Sequence, residues 1–180
     1  TITYTYTDSN SCSASDTAYT TVHPAPTVLF PGPITLCENS GLYALNGATP
    51  SGGTYSGTGV IGNDFDPFAA GVGMHTVYYM ISDGNGCSDD DSASYEVLGV
   101  PATPTITQVG DTLYSSAPSG NQWYNSGGPI IGEVGQSYFP GISGTYWTIV
   151  MDSNGCFSDS SAHVNYIYVG ITENNVQQFE

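Results

Sequence analysis

The sequence contains no lysine and no arginine among its 180 residues, although it contains 16 acidic side chains. Its formal net charge is therefore −16 at pH 7. Because proteins bind phosphate groups mainly through cationic side chains, this composition excludes nucleic-acid binding, nucleotide binding through a P-loop lysine and attachment to anionic membranes. We expect the fold to depend on apolar burial, backbone hydrogen bonds and, where they form, disulfides or bound cations.

Long apolar runs and helical periodicity are also missing. No run of about 18 apolar residues occurs, so the sequence predicts no membrane-spanning segment. Apolar residues still make up 39% of the chain and aromatic residues 12%, which is enough for a buried core. Since Gly and Pro are spread along the chain and Thr, Ser, Tyr and Val are abundant, we predict many short strands separated by turns.

One pattern occurs three times: an alternating strand followed by Asp-x-Asn-(Gly/Ser)-Cys. The cysteines of this pattern, Cys12, Cys87 and Cys156, are 75 and 69 residues apart, which is the size of a small sandwich domain. A second strand-like run follows each cysteine, at residues 16–23, 92–98 and 162–169. Two alternating runs joined by a polar turn predict a β-hairpin, so we expect each repeat to end in a hairpin.

These repeats divide the chain into three units and a tail. Unit one, residues 1–24, is predicted to be the last hairpin of a preceding repeat whose other strands lie outside this sequence. Unit two, residues 25–99, and unit three, residues 100–169, are each predicted to be complete and to begin at a short proline-containing junction. Residues 170–180 are polar and are predicted to be a linker. The predicted fold is all-β: tandem immunoglobulin-like β-sandwich domains.

The cysteines leave several pairings open. Cys37 and Cys87 lie in the same complete unit, and an oxidising compartment would allow a disulfide between them; otherwise both are buried thiols. The region of unit three that matches Cys37 has no cysteine, so Cys156 is predicted to be free or bonded to another unit. The partner of Cys12 would precede residue 1. An unpaired Cys12 or Cys156 would permit an intermolecular link.

An acidic cluster surrounds one of the three turns. It supplies oxygen ligands of the kind that Ca²⁺ prefers, from Asp83, Asn85, Asp89, Asp90 and Asp91. The spacing begins like an EF-hand, but Ser94 occupies the twelfth position, so that motif is not formed. Because Asp-x-Asn recurs at the other two turns without three adjacent aspartates, two interpretations stay open: side chains that cap tight turns, and a calcium site.

The aromatic and histidine residues carry further expectations. Trp123 and Tyr146 are predicted to be core residues of an immunoglobulin-like sandwich. Trp147 alternates with Tyr146 and should face the other side of its strand, where it could stack on a sugar. The three histidines are accompanied by no catalytic or metal-binding motif, so the sequence predicts a protein that is not an enzyme.

Several motifs point to a known family. The run GGTYSGTGV at residues 52–60, followed by FDP at 65–67 and AGVG at 70–73, resembles the Ig-like/PKD-like repeats of very large surface and secreted proteins of the Bacteroidota. Residues 100–169, with GNQWY, YFP and SGTY, are similar to the Ig-like module often found last in such chains. The ending at residues 171–180 resembles the approach to a C-terminal type IX secretion sorting domain, which this sequence does not include.

This resemblance implies an adhesin-like protein that is secreted or displayed on the surface of a Gram-negative bacterium. Such repeats serve mostly as spacers, stalks or adhesive arrays, whose partners are neighbouring repeats or subunits. The first hairpin is expected to complete a preceding repeat; the alternative is that it adds to a neighbouring subunit and builds a filament. An O-glycosylation motif of Bacteroidota secreted proteins, Asp-Ser/Thr-apolar, is matched at Thr17, Ser92 and Thr112. The alternative is a carbohydrate-binding module of an adhesin or a polysaccharide-degrading enzyme, which would bind surface polysaccharide through Trp147 or exposed tyrosines with calcium.

Overall fold

The computed structural model describes residues 1–169, and their secondary structure is almost entirely β. The strands in chain order are β1 Ile2–Thr7, β2 Ser13–Ala18, β3 Ile34–Cys37, β4 Tyr43–Ala44, β5 Thr54–Ser56, β6 Val60–Ile61, β7 Asp64–Phe65, β8 Gly73–Ser82, β9 Ser88–Leu98, β10 Ile106–Val109, β11 Thr112–Ser115, β12 Asn121–Asn125, β13 Gly128–Pro129, β14 Ser137–Tyr138, β15 Gly144–Val150 and β16 Val164–Tyr166. Across these described residues, no helix has the length and apolar character that crossing a membrane requires.

The strands pair within three groups. In unit one, β1 and β2 form an antiparallel hairpin. Unit two contains a four-stranded sheet in the order β3-β9-β8-β5 and a three-stranded sheet in the order β4-β7-β6. Unit three contains a four-stranded sheet, β13-β12-β15-β16, and a three-stranded sheet, β10-β11-β14. Four strands facing three is the strand number of constant-type immunoglobulin domains, so the predicted all-β, immunoglobulin-like fold is confirmed.

The core of unit two is built by the long hairpin β8–β9. Side chains of these two strands alternate between buried and exposed, as the period of two in a strand requires. The buried side chains of the hairpin pack against residues of the other sheet and of the loops. Together these residues form one core of Phe30, Leu45, Ala48, Phe65, Val77, Tyr79, Ala93, Tyr95 and Val97. Burial raises the pKa of Tyr95 to about 12, so this phenol stays neutral inside the core.

The core of unit three is smaller and mostly aromatic. Leu113, Trp123, Tyr146 and Tyr166 are almost completely buried, and they come from both sheets. The indole of Trp123 donates a hydrogen bond to the carbonyl of Gly135 at 2.9 Å, which satisfies its one polar group. The prediction that Trp123 and Tyr146 are core residues is therefore confirmed.

One short helix, α1 at Pro67–Ala70, was not predicted. Its N-cap is Asp66, whose carboxylate accepts from the N–H groups of Phe68 and Ala69, and a proline occupies its first turn. Four residues are too few to produce a helical period in the sequence. In the sequence, only the capping residue Asp66 and the proline that follows it indicate this helix.

In the described part of the chain, no buried side-chain nitrogen or oxygen lacks a hydrogen-bond partner. The clearest example is Tyr79, whose hydroxyl donates to the carbonyl of Pro50 at 2.6 Å and accepts from the N–H of Gly53 at 2.7 Å. This hydroxyl fastens the loop before β5 onto the centre of β8.

We expect Tyr79→Phe to lower the free energy of unfolding by about 2 kcal/mol, because the substitution leaves the Pro50 carbonyl and the Gly53 N–H without their partner. Urea unfolding followed by tyrosine fluorescence would measure the change. Tyr78→Phe is the matched control, since Tyr78 lies on the exposed face of the same strand. Equal effects of the two substitutions would contradict this role of the Tyr79 hydroxyl.

Candidate functional site

The three repeated turns have the same hydrogen bonds. In each turn the aspartate Oδ1 accepts from the N–H two residues later and from the N–H of the turn cysteine, at 2.8–2.9 Å. The aspartates are Asp8, Asp83 and Asp152. The N–H of Cys87, followed by that of Asn85, lowers the pKa of Asp83 below its ordinary value. These side chains are turn caps, and they fix the backbone position of each turn cysteine.

The predicted calcium site is not formed. Strand alternation turns Asp90 to the face opposite Asp89 and Asp91. Of the acids near this turn, Asp83 is occupied by backbone N–H groups of its own turn, one of them from Asn85. Among residues 1–169 there is no group of three or more His, Cys, Asp or Glu side chains that could hold a metal ion. The interpretation of Asp83, Asn85, Asp89, Asp90 and Asp91 as a calcium site is therefore wrong.

Asp89 and Asp91 instead bind the extended segment that opens unit two. The N–H of Val28 donates to Asp89 Oδ2 at 3.0 Å, and the N–H of Phe30 donates to Asp91 Oδ2 at 2.8 Å. The second oxygen of Asp91 accepts from the N–H of Ser92. The Phe30 and Ser92 N–H groups lower the pKa of Asp91. The two carboxylates thus accept backbone hydrogen bonds, as the carbonyls of a neighbouring strand do within a sheet. These bonds position Phe30 in the core.

A disulfide joins unit two to unit three. It links Cys37, at the end of β3, to Cys156, in the last repeated turn, with a Cα–Cα distance of 5.6 Å. The predicted Cys37–Cys87 bridge is therefore wrong, and so is the prediction of Cys156 as an unpaired or intermolecular cysteine. Of the two alternatives for Cys156, the bond to another unit is the one formed. Cys12 and Cys87 are free thiols within the described residues.

Strand register explains why Cys37 cannot reach Cys87. β3 runs parallel to β9, and Cys37 is paired with Leu98, the last residue of that strand. Cys87 lies just before the first residue of β9. At about 3.3 Å per residue, the 11 residues of β9 separate the two ends by roughly 35 Å. Cys37 is consequently placed at the end of unit two from which the connection to unit three leaves.

The junction contains a second contact beside the disulfide. The side-chain amide of Asn39 donates to the carbonyl of Phe157 at 3.0 Å. Asn39 is two residues after Cys37, and Phe157 is the residue after Cys156. Cys156 is completely buried. The two units are thus connected covalently twice, once through the chain and once through sulfur.

An aromatic row lies on the outer face of unit three, and we define it by Tyr124, Trp147 and His163. Tyr124 and Trp147 are cross-strand partners on β12 and β15, and their rings stack at 5.8 Å between centroids with an angle of 10°. His163, which precedes β16 on the other side of β15, stacks on Trp147 at 4.3 Å and 19°. Both faces of the Trp147 ring are covered, so the predicted sugar platform is reduced to ring edges and the exposed His163.

The other singled-out residues occupy separate places. His75 Nε2 donates to the carbonyl of Gly71 at 2.7 Å, and its ring packs near Phe65. Thr17 and Ser92 are exposed on equivalent strands, whereas Thr112 is half-buried at the start of β11. The glycosylation of these three hydroxyls stays a prediction. The linker prediction for residues 170–180 lies outside the described residues.

No protein-family model and no curated protein matches the sequence. Solved structures to which the chain is similar include a Bacteroides ovatus protein of a mixed-linkage glucan utilization locus, SGBP-B, in complex with a mixed-linkage heptasaccharide, at 13% identity and a TM-score of 0.33. Domains from titin match at 13% identity and 0.34. A Ca²⁺-stabilized adhesin with which an Antarctic bacterium binds ice matches at 10% and 0.36.

These likenesses cover 81%, 89% and 91% of this chain, respectively. The chain spans 48% of the Bacteroides ovatus protein, 72% of the titin structure and 55% of the adhesin. At such identities and TM-scores the similarity carries no argument about activity. The assignment of the fold therefore rests on the strand order and the two cores of this chain.

We expect Asp91→Asn to lower the stability of unit two at neutral pH. Because the folded-state pKa of Asp91 is depressed below the ordinary value of 3.8, its carboxylate contributes stability above that pH, and the contribution is lost as the pH falls through the folded-state pKa. The difference between variant and parent should therefore shrink below pH 3.8. Urea unfolding across this pH range would measure it.

Asp90→Asn is the matched control for this experiment. It removes the same charge from the neighbouring position, but Asp90 is exposed on the other face of β9. A loss of stability as large in Asp90→Asn as in Asp91→Asn would show that net charge, and not the bond to the Phe30 N–H, is responsible.

Proposed function

We propose that this chain is a non-catalytic, extracellular structural or adhesive repeat segment, which serves as a stalk, spacer or fibre subunit of a bacterial surface protein. The observation that carries the proposal is the disulfide between Cys37 of unit two and Cys156 of unit three. Disulfides persist in oxidising compartments outside the cytoplasm, which supports a secreted or surface location. A bond between two separately cored units contributes to their connection and not to the formation of a reactive cleft.

The two connections at this junction suit a load-bearing role. A single flexible linker would let the units pivot, whereas two attachment points and the Asn39–Phe157 hydrogen bond restrict that rotation. Each unit also has its own core, so neither depends on the other for burial of its aromatic residues. A series of such units transmits force along the chain.

The composition supports the same role at an exposed surface. Without lysine or arginine the chain offers trypsin no cleavage site, and its charge of −16 keeps neighbouring chains apart. The sequence resemblance to repeats of Bacteroidota surface proteins supports a Gram-negative cell surface reached by type IX secretion. Glycans on Thr17 and Ser92, which are both exposed, would add further protection.

Single-molecule stretching from the two termini would test this role. The disulfide closes a loop over a separation of 119 residues, so a pull on the oxidised chain should bypass most of units two and three. Cys37→Ser should add about 40 nm of extension, because each released residue contributes up to about 3.6 Å. The control, Cys12→Ser with Cys87→Ser, retains the bridge and should extend as the parent does. Equal extension of parent and Cys37→Ser would contradict the role of the bridge.

A carbohydrate-binding module is the second candidate, and the aromatic row favours it. Tyr124, Trp147 and His163 form a continuous aromatic row, in which Tyr124 and Trp147 are half-buried and His163 is exposed. The ring edges of this row and the exposed His163 ring offer apolar surface to the C–H groups of a sugar. The class of ligand would be a surface polysaccharide.

Glycan-array binding would test this second candidate. Trp147→Ala should weaken binding about tenfold, as expected for the loss of roughly 1.4 kcal/mol, because it removes the indole edge and the ring on which both Tyr124 and His163 stack. His163→Ala removes one ring and one stacking contact and should weaken binding less. Tyr114→Ala is the control, because Tyr114 is an exposed aromatic residue on the other sheet of the same unit. Binding of no glycan by the parent chain would remove the candidate.

A further inference from the structure

Unit one repeats the end of unit two at a spacing of 75 residues, so the two hairpins can be compared position by position. In unit two, the inward-facing residues of β8 are Val77, Tyr79 and Ile81, and they are packed in the core. Their counterparts in β1 are 59–68% exposed: Ile2, Tyr4 and Tyr6. The hairpin of unit one therefore presents a core face that nothing in the described chain covers.

The second strand of this hairpin, β2, is also shorter than its counterpart, β9. β9 continues to Leu98, whereas β2 ends at Ala18, five residues before His23, the counterpart of Leu98. In unit two the last residues of β9 pair with β3 on one side and with the start of β8 on the other. Val97 in this stretch is 1% exposed, but its counterpart Val22 is 86% exposed. Within the described residues β2 pairs with β1 alone, whereas β9 has a partner strand on both sides.

The free thiol of Cys87 lies close to His23, near the C-terminal end of unit one. The turns of Cys87 and Cys156 have the same cap, in which the cysteine N–H donates to the turn aspartate at 2.9 Å. Cys156 bonds to Cys37, which lies beside Leu98 in the parallel sheet. The Cys87 thiol lies 3.7 Å from the carbonyl of His23, the counterpart of Leu98. A strand that paired with His23 as β3 pairs with Leu98 would end at Cys87.

We propose that Cys87 forms a disulfide with a cysteine at the end of a β3-like strand in the preceding repeat of the same polypeptide, as Cys156 does with Cys37. The inference rests on the proposed stalk function and names its partner. That repeat would also supply the strands that cover Ile2, Tyr4 and Tyr6. Its first segment would place a backbone N–H against Asp16, the counterpart of Asp91, whose Oδ1 already accepts from Thr17 as Asp91 Oδ1 does from Ser92.

The same comparison gives the position of each disulfide between repeats. The turn cysteine of one repeat bonds backwards to the strand cysteine of the repeat before it. Unit three contains no cysteine except Cys156, which is already bonded to unit two. Cys12 has the same turn cap and would take the same role one repeat further toward the N-terminus.

The chemistry is an ordinary thiol oxidation by an extracytoplasmic dithiol–disulfide oxidoreductase. The strand cysteine attacks the oxidant's disulfide and forms a mixed disulfide, and the Cys87 thiolate then displaces the oxidant's sulfur. Two thiols of the repeat protein lose two electrons and two protons in total. The oxidant's disulfide takes them up and becomes a dithiol.

An extended chain would test the proposal. Residues 25–76 of unit two, joined directly before Ile2 of the full sequence, supply every strand that the hairpin lacks and a second copy of Cys37, because residue 77 is the counterpart of residue 2. We expect iodoacetamide to modify Cys87 in the 180-residue chain and to leave it unmodified in the oxidised extended chain until a reductant is added. Non-reducing peptide mapping with a chymotryptic digest should recover Cys87 linked to the grafted cysteine.

Two controls keep the outcome clear. Cys37→Ser in the added segment alone should restore labelling of Cys87. Hydroxyl-radical footprinting of Tyr4 and Tyr6 reports whether the added segment has folded, because folding should protect both side chains. Labelling of Cys87 in a folded, oxidised extended chain would overturn the proposal.

If the graft does not fold, native protein alkylated before extraction decides the matter. Cys87 bonded within its own polypeptide supports the proposal; a free Cys87, or a Cys87 that bonds a second polypeptide and gives a dimer on a non-reducing gel, overturns it. An intact Cys37–Cys156 bridge with a free Cys87 would leave the stalk function in place and remove only this inference.

Discussion

Hydrogen bonds from backbone N–H groups to aspartate carboxylates recur throughout the structure. A chain without lysine or arginine cannot pair its acids with such cations of its own, and the aspartates of its turns and of its helix cap accept from backbone N–H groups instead. Asp8, Asp83 and Asp152 cap the three turns, and Asp66 caps the helix. Such bonds keep the charge in place without a counter-ion and tie loops to strands at fixed positions.

The turn caps have a further consequence for the junctions. A cap that fixes the backbone of the turn cysteine also fixes the direction in which its sulfur leaves the turn. At Cys156 that sulfur meets the end of β3 of the preceding unit. A carboxylate with no role in burial thus determines where two units are joined, and an acid-rich sequence becomes compatible with a stiff array of repeats.

The local part of the structure could be predicted from the sequence, and the non-local part could not. Alternation along residues 75–98 reveals a hairpin because the period of two is a property of neighbouring residues. The disulfide partner of Cys37 depends on the parallel register between β3 and β9, which no local pattern encodes. Likewise, adjacent aspartates suggested one ion site, but strand alternation sends Asp90 away from Asp89 and Asp91. Trp147 was correctly expected on the outer face, yet its neighbours in the row lie on two other strands.

The path of force through the junction follows from where Cys37 lies. Because Cys37 is paired with Leu98, the disulfide and the connecting chain leave unit two from adjacent strands at the same edge. A pull on the oxidised chain therefore passes from β3 through the disulfide into unit three, and β8, β9 and most of both cores lie outside the path of force. In the reduced chain the same pull enters unit three through the connecting chain after β9. Reversing β3, or moving its cysteine to the other end of the strand, would carry the sulfur away from this junction while leaving both cores intact.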